Sequence, residues 1–285
     1  MTTVAEALDW GRQQMGRASP ALVETAAGDS QWLLAWVLQR NSTWLRAWPE
    51  HKLSAEQWAQ FESSVERRCA GEPVAYITGR QGFWTLDLSV NQHTLVPRPD
   101  TELLVELALG LLDHHSHRVM DMGTGSGAIA LALKSERPNW QLLATDISEA
   151  ALAVAASNAQ RFNLEVEFVH SAWFESVADT RFHMIVSNPP YIESDDPHLS
   201  GPGVAFEPMT ALVSGKEGLD AIREIATGAV HHLLDGAWLL LEHGYNQGAA
   251  VRQLLLDAGF QKVATHQDYG HNDRVTLGQW HSPAS

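Results

Sequence analysis

The segment best suited to chemistry is Asn188-Pro189-Pro190-Tyr191, which directly follows the predicted strand at His183–Ser187. The Asn188 side-chain oxygen and the Pro189 carbonyl can each accept a hydrogen bond from an NH₂ group, and Tyr191 can pack on a conjugated system. Because the lone pair of such a nitrogen is delocalised, two fixed acceptors help it to attack an electrophilic methyl group. The motif predicts Asn188, Pro189 and Tyr191 as catalytic residues and Pro190 as a further substrate contact.

A loop with three alternating glycines, Gly123-Thr124-Gly125-Ser126-Gly127, joins a predicted strand to a predicted helix. Glycine has no Cβ, so a ligand can approach the main chain closely and reach the N–H groups at the start of the helix. We therefore expect all five loop residues to bind a cofactor. With Ala128 the spacing also fits a dinucleotide-binding fingerprint, so the loop alone does not identify that cofactor.

Asp146 ends the next predicted strand, 19 residues beyond Gly127. A carboxylate at this place can accept hydrogen bonds from both hydroxyls of an adenosine ribose, whereas Ser148 is better placed to cap the following helix. Nicotinamide sites and S-adenosylmethionine sites both use such an acid. Asn188 and Tyr191 decide between the two, because they favour methyl transfer from S-adenosyl-L-methionine.

The elements that must position these residues change in kind along the chain. Residues 1–72 predict a bundle of short amphipathic helices, and residues 73–95 predict a β-hairpin linker with strands at Ala75–Thr78 and around Trp84–Val90. In residues 96–285, helices alternate with continuous apolar strands, which predicts a mostly parallel sheet covered on both faces. The last two strands are separated by a tight loop and must pair antiparallel. The predicted fold class is α/β, a Rossmann-like class I methyltransferase sheet with one antiparallel strand.

The composition limits the possible classes of function. The formal net charge is −15, and residues 76–285 hold 12 Lys and Arg against 25 Asp and Glu, which disfavours free nucleic acid as the substrate. There is no run of eighteen apolar residues and no signal-peptide pattern, so we expect a cytoplasmic protein without membrane contact. Cys69 is the only cysteine and the histidines lack metal-ligand spacing, so no metal is expected.

Tryptophan is concentrated at the start of the chain, where six of the eleven lie within the first 58 residues. Such residues could form an aromatic docking surface for a protein partner. Pairs spaced i,i+4, such as Trp32/Trp36 and Trp44/Trp48, are however typical of the core of a small helical bundle. We therefore expect most of these tryptophans to fill a core.

Along nearly its whole length the chain resembles the HemK/PrmC family, the protein-(glutamine-N5) methyltransferases. The similarity rests on residues 72–79 (Glu-Pro-Val-Ala-Tyr-Ile-Thr-Gly), 96–102 (Val-Pro-Arg-Pro-Asp-Thr-Glu), 121–127, 188–191, 207–208 with 211–212, and 273–275. The departures are small: Met122 stands where Leu is usual, and Lys216-Glu217 stands where the family commonly has an Asp before Gly-Leu.

The resemblance implies a set of roles for these residues. Gly123–Gly127, Asp146, Trp173 and Asn188 bind S-adenosyl-L-methionine, with Trp173 beside the adenine, and Asn188–Tyr191 hold a substrate glutamine. The partner is a class 1 peptide chain release factor, methylated in its Gly-Gly-Gln motif, which tunes translation termination. An N-terminal helical domain joined by a hairpin is also the layout of this family. We expect this domain to recognise the substrate protein, and we expect the enzyme to be a monomer.

Other functions stay open at this point. The motif at 188–191 also fits the exocyclic amine of a nucleic-acid base, although a basic target-recognition region is missing. A ribosomal-protein glutamine is another possible acceptor, and the segments at 73–79 and 97–99 disfavour it. A non-catalytic cofactor-binding module would not need Asn188 or Tyr191, and a nicotinamide oxidoreductase fits least. Arg98 can either clamp an acidic group of the partner or cofactor, or pair with a residue such as Glu102.

Overall fold

The computed structural model describes residues 2–177 and 179–282, and the chain divides into two compact units. The helical unit comprises Met1–Arg80 and Pro197–Phe206, and the sheet unit comprises Gln81–Asp196 and Glu207–Ser285. The two segments of the helical unit are joined by a main-chain hydrogen bond from Gly203 N to Gly71 O, 2.8 Å long. A segment distant in sequence therefore completes the helical unit.

The helical unit is built from short helices with polar start signals. Thr3 with Glu6 and Ser54 with Gln57 form capping boxes, so the ends of two helices are satisfied by local side chains. Leu33, Leu34, Phe61 and other apolar side chains fill its core. The helices are α1 (Val4–Ala18), α2 (Ala26–Leu38), α3 (Ser42–Ala47), α4 (Ala55–Cys69) and α5 (Val74–Thr78), with short 3-10 helices at Pro20–Leu22, Pro197–Ser200 and Val204–Phe206.

Four of the six early tryptophans pack against this core, as predicted; they are Trp10, Trp36, Trp44 and Trp58. The prediction is wrong for Trp32 and Trp48, whose residue surfaces are 70% and 59% exposed. The inward face of α2 is formed by Leu33, Leu34 and Val37, which turns the side of the helix that carries Trp32 outward. A spacing of i,i+4 alone therefore did not identify the buried side.

The predicted hairpin is present but uses a different first strand. Ala75–Thr78 belongs to helix α5, and the hairpin pairs β1 (Arg80–Phe83) with β2 (Leu86–Ser89). Helix α5 ends at Gly79, whose φ of 70° is left-handed and needs little energy only for glycine. The turn between the strands contains Trp84 at a φ of 55°. The predicted strand at Ala75–Thr78 is therefore wrong because a short helix precedes the glycine.

The sheet unit alternates helices and strands from residue 99 onward, with short 3-10 helices at Pro99–Thr101 and Met209–Ala211. Among its described residues, no helix is both long and apolar enough to span a membrane, and the same holds for the described part of the helical unit. The elements are α6 (Glu102–Leu111), β3 (Arg118–Met122), α7 (Ala128–Glu136), β4 (Gln141–Asp146), α8 (Glu149–Phe162), β5 (Glu167–His170), β6 (Phe182–Ser187), α9 (Asp220–His232), β7 (Leu233–Glu242), α10 (Gly248–Asp257), β8 (Gln261–Gln267) and β9 (Asp273–Gln279).

The large sheet has the strand order β5-β4-β3-β6-β7-β9-β8. All neighbouring strands are parallel except β9, which is antiparallel to both β7 and β8. The predicted fold class, a mostly parallel sheet with one antiparallel strand, is therefore confirmed. The order reverses at β3, since β4 lies on one side and β6 on the other, and in such sheets ligands bind at the carboxyl ends of these strands.

The central strands are buried on both faces. Val119 of β3 and Met184 of β6 belong to one apolar cluster, and the adjacent residues Met120 and Ile185 belong to another. Successive side chains of a strand point to opposite faces, so the two clusters lie on opposite sides of the sheet. This burial explains why the strands appear in the sequence as continuous apolar runs.

Candidate active site

The glycine loop links the end of β3 to the start of α7. Its last residue, Gly127, has a φ of 85° and precedes the first residue of the helix. Asp121 Oδ2 accepts hydrogen bonds from Thr124 Oγ1 at 2.6 Å and from Ala130 N at 3.1 Å. One carboxylate therefore fastens the loop to the first turn of α7.

Asp121 is fully buried, and this burial raises its pKa to about 7 although the hydrogen bonds from Thr124 and Ala130 oppose the change. Its other oxygen, Oδ1, has no hydrogen-bond partner among the described residues. The sequence analysis did not select Asp121 as a site residue. An acid at the end of a buried strand was the signal available for finding it.

Asp146 lies beside the glycine loop at the end of β4. Its Oδ2 accepts a hydrogen bond from Gly125 N at 2.8 Å, and its Oδ1 accepts one from Ser148 N at 2.9 Å. Burial raises the pKa of Asp146, and these two hydrogen bonds lower it. The Ser148 hydroxyl caps α8 by accepting from Ala151 N, as the sequence predicted. Asp146 is thus left to orient the loop and face the space next to it.

A cavity of about 440 Å³ opens at this edge of the sheet unit. Its wall brings together most of the residues that the sequence analysis selected: Gly123, Thr124, Gly125, Ser126, Asp146, Trp173, Asn188 and Pro190. Three selected residues, Gly127, Pro189 and Tyr191, lie outside the wall. Trp173 has a left-handed φ of 45°, and its ring comes within 3.9 Å of the place where a Cβ on Gly123 would stand. The volume is typical of a site for an organic cofactor.

The Asn188 side chain enters the cavity wall from the end of β6. Ser187 Oγ donates a hydrogen bond to Met122 O at 2.7 Å, which fixes the end of β6 against β3. Asn188 Nδ2 donates to Thr101 Oγ1 at 3.1 Å. The NH₂ group of Asn188 is therefore fixed by Thr101, a residue that the sequence analysis did not select.

Tyr191, which is not part of the cavity wall, reaches Glu242 at the end of β7 with its hydroxyl. Its hydroxyl donates to Glu242 Oε1 at 3.3 Å, and burial is the main cause that raises the pKa of Tyr191. Glu242 is itself buried, and burial raises its pKa to about 7. The sequence analysis did not select Glu242, because the run of apolar residues before it does not indicate which side chain Glu242 will contact.

Arg98 forms an ion pair, with a partner other than the predicted one. Both carboxylate oxygens of Glu207 lie 2.8 Å from Arg98 Nη2. Glu102 instead accepts a hydrogen bond from Trp84 N at 2.7 Å. The example of Glu102 is therefore wrong, and Arg98 compensates the charge of the buried Glu207 side chain, which lies 109 residues away in the chain.

The histidines near the end of α6 interact with a carboxylate. His115 Nδ1 and His117 Nε2 lie 2.7 Å and 2.8 Å from the two oxygens of Asp113, and these contacts, led by that of His117, lower the pKa of Asp113. Across residues 2–177 and 179–282, no group of His, Cys, Asp and Glu side chains has the arrangement of a metal site.

Known proteins match both parts of the chain. Residues 6–79 match the family described as PrmC N-terminal domain, and residues 99–200 match the Methyltransferase small domain. The chain is 56% identical to the release factor glutamine methyltransferase of Pseudomonas aeruginosa, over 88% of this chain and 92% of that protein. It is 46% identical to the release factor glutamine methyltransferase of Shewanella oneidensis, over 97% of this chain and 96% of that protein. A solved methyltransferase structure from Pyrococcus furiosus shares the fold with a TM-score of 0.54 and 17% identity, over 78% of this chain and 100% of that one.

Proposed function

We propose that this chain, which belongs to the release factor glutamine methyltransferase family, methylates the N5 amide nitrogen of the glutamine in the Gly-Gly-Gln motif of class 1 peptide chain release factors. The observation that carries this proposal is that Asn188 shares one cavity wall with the glycine loop and Asp146. An acceptor for an NH₂ group and groups that suit an adenosine cofactor thus face the same space. The family resemblance found in the sequence is confirmed by these relatives.

The residues of the cavity wall fit S-adenosyl-L-methionine as the methyl donor. The loop at 123–127 offers main-chain N–H groups near the start of α7, and Asp146 offers a carboxylate to ribose hydroxyls. Trp173 offers an aromatic face to the adenine. When bound, this donor supplies a methyl group on a positively charged sulfur.

The chain's own residues act by holding the acceptor amide. Asn188 accepts one N–H of the substrate amide and the Pro189 carbonyl accepts the other, while Tyr191 packs against the amide plane. As the nitrogen begins to form its new bond, it loses conjugation and gains positive charge. Two fixed acceptors stabilise that charge, an effect worth on the order of 10²-fold in rate for one such contact. The nitrogen then loses a proton to water, so no side-chain base is required.

A protein substrate also suits the charge of the chain. Residues 76–285 carry 25 acidic against 12 basic residues, which opposes binding of a phosphate backbone. Residues 6–79 of the helical unit match the PrmC N-terminal domain. In this proposal the helical unit recognises the release factor, and the enzyme acts as a monomer. A nucleic-acid base or a ribosomal-protein glutamine remains an alternative acceptor, which the following experiment includes.

The test is methyl transfer from labelled S-adenosyl-L-methionine to a purified release factor. We expect label on the wild-type release factor and none on a variant whose Gly-Gly-Gln glutamine is alanine. Total RNA and ribosomes serve as competing acceptors in parallel reactions. Equal labelling of both release factors would exclude the glutamine as the acceptor, and preferred labelling of RNA or ribosomes would replace the proposed substrate.

A further inference from the structure

One buried amide side chain binds the main chain at the end of the motif at 188–191. Gln247 immediately precedes helix α10 and is 8% exposed. Its Nε2 donates a hydrogen bond to Tyr191 O at 3.0 Å. The same nitrogen lies 3.3 Å from Glu217 O and 3.4 Å from Gly218 O, and it donates to both. Gln247 therefore links the end of the motif to the segment that precedes helix α9.

We propose that Gln247 is a positioning residue for the methyl transfer, which holds the end of the motif so that the Pro189 carbonyl and the Tyr191 ring keep their places around the substrate amide. This inference rests on the proposed function, in which that carbonyl accepts an N–H of the amide and Tyr191 packs against its plane. Gln247 lies outside the motif and outside the cavity wall. It acts through the main chain of Tyr191.

The orientation of the Gln247 amide follows from the groups around it. A main-chain N–H can only donate, so the Gly244 N–H must be bound by the oxygen of the amide, and Oε1 accepts from it at 2.8 Å. The NH₂ end then faces the three carbonyl oxygens, which can only accept. An ionised carboxylate or an ammonium group at this place would leave one of the two sides without a partner. The site therefore requires the amide of glutamine.

The peptide group that follows Tyr191 is bound at both of its polar atoms. Its carbonyl oxygen accepts from Gln247 Nε2, and its N–H, which belongs to Ile192, donates to Leu212 O at 2.8 Å. Ser214 N then donates to Ile192 O at 3.0 Å, so the chain continues in a short parallel bridge. Hydrogen bonds on both sides therefore fix the main chain where it leaves the motif.

The two prolines of the motif extend this constraint to the Pro189 carbonyl. Proline has no N–H and a fixed φ, so neither proline can be held by donating a main-chain hydrogen bond, and few torsion angles are free between Pro189 and Tyr191. The other end of the motif is fixed at Asn188, whose side-chain nitrogen donates a hydrogen bond of 3.1 Å. The motif is therefore held at its ends, and loss of the Gln247 contact releases one of them.

Gly218 allows Gln247 and Tyr191 to come together. It has a φ of 67°, and a Cβ there would overlap Tyr191 O and lie 2.7 Å from Gln247 Nε2. Any side chain at this position therefore separates the two atoms. Gly215 has a similar φ of 73°, but a Cβ there would meet the side chain of Asp220, which is 66% exposed and can move away. The two glycines allow the same substitution with and without a disturbance of the contact.

The first test compares Gln247→Met with Gln253→Met in steady-state kinetics. Methionine keeps the length of the side chain and removes both hydrogen-bonding ends. We expect Gln247→Met to lower kcat roughly tenfold, as for the loss of an orienting hydrogen bond. The Kd for S-adenosyl-L-methionine should change by less than about twofold, because Gln247 is outside the cavity wall. Gln253 is exposed on α10 and bonds Asp257, so Gln253→Met should change neither value.

The second test leaves Gln247 in place and applies even where Gln247→Met does not fold. Gly218→Ala and Gly215→Ala both introduce left-handed strain, so both should lower Tm. Only Gly218→Ala should lower kcat, by roughly tenfold per molecule that binds cofactor in a titration. The double variant Gly218→Ala/Gln247→Met should be no slower than the slower single variant, because both changes break one contact. Equal kcat in the two alanine variants, or losses that multiply in the double variant, would overturn the inference.

A third readout does not depend on the acceptor. The Ile192 amide, which donates to Leu212 O, should exchange with solvent faster in Gln247→Met than in wild type or Gln253→Met, as ¹⁵N NMR of the full chain would show. If the exchange rate responds and wild type does not methylate the release factor, the proposed function fails and the anchoring of the motif by Gln247 stands. If wild type is active and the exchange rate in Gln247→Met is unchanged, the inference fails, whatever the change in kcat.

Discussion

Gly127→Ala is the substitution whose effect on the free energy of unfolding can be worked out most directly from the structure. The residue has a φ of 85°, and a Cβ there would lie 3.0 Å from Leu131 Cδ1 and 3.2 Å from Ala155 Cβ. A left-handed conformation costs a residue with a Cβ about 1–2 kcal/mol. Overpacking against Ala155, which has no flexible end that can move away, adds about 1–3 kcal/mol. We expect a loss of about 2–5 kcal/mol in the free energy of unfolding.

Gly125→Ala is the informative comparison, because it shares the strain and lacks the contact. Its φ is 56°, and among described residues no atom lies within 4 Å of the added Cβ. It should lose only about 1–2 kcal/mol. Gly125 lies in the cavity wall and Gly127 does not, so Gly125→Ala should weaken cofactor binding more. The two variants therefore separate stability from binding.

Thermal unfolding and isothermal titration with S-adenosyl-L-methionine measure the two effects. Gly127→Ala should lower Tm by roughly 10 °C, since about 1 kcal/mol corresponds to 2–4 °C in a chain of this size class. Gly110→Ala is the control: it lies in helix α6, where no described atom would be within 4 Å, and alanine favours a helix. A larger Tm loss for Gly125→Ala than for Gly127→Ala would refute this reading of the loop.

Three more substitutions test other parts of the sheet unit. Asn188→Ala should lower kcat about 100-fold while the cofactor Kd changes much less, as steady-state kinetics and titration would reveal; the reverse pattern would contradict its role. Asp121 has a folded-state pKa of about 7, above its ordinary value of 3.8, so ionising it costs stability as the pH rises through that window. Asp121→Asn lacks this loss, so its Tm relative to wild type should increase between about pH 4 and about pH 7 and stay level above that; a constant difference across this range would exclude the buried charge. Arg98→Met should lower stability by about 1–3 kcal/mol in urea unfolding, because Glu207 is left buried without its partner; adding Glu207→Gln should recover part of this, and no recovery would assign the loss to packing alone.

The sequence allowed the main site to be predicted because its residues end neighbouring strands. The glycine loop follows β3, Asp146 ends β4, and Asn188 follows β6, and both β4 and β6 pair with β3. In a parallel sheet the carboxyl ends of adjacent strands lie at one edge, so local patterns were sufficient to bring these residues together. The spacing of the apolar residues is also a local pattern, and it predicted the alternating helices and strands of the sheet unit.

Contacts between distant side chains could not be predicted in this way. Thr101 and Asn188 are 87 residues apart and hydrogen-bonded, and nothing in either local pattern specifies the other. The same holds for Arg98, for which the sequence suggested a nearby acid as the partner and which pairs in the structure with Glu207. At Ala75–Thr78, the alternation of the following strand was extended across Gly79, although a left-handed glycine ends a helix as readily as it bends a hairpin.

The segment at residues 98–101 makes two of these contacts between distant side chains. Arg98 binds Glu207, which lies in the stretch between β6 and β7, and Thr101 binds Asn188 at the beginning of that stretch. The flanking prolines at 97 and 99 restrict φ, so the segment loses less conformational entropy when it forms these contacts. A rigid segment outside the motif therefore holds the stretch after β6 at two points. In the proposed reaction no side chain acts as an acid or a base, so the rate depends on how the acceptor amide is held, and this anchoring supports that geometry from residues outside the motif.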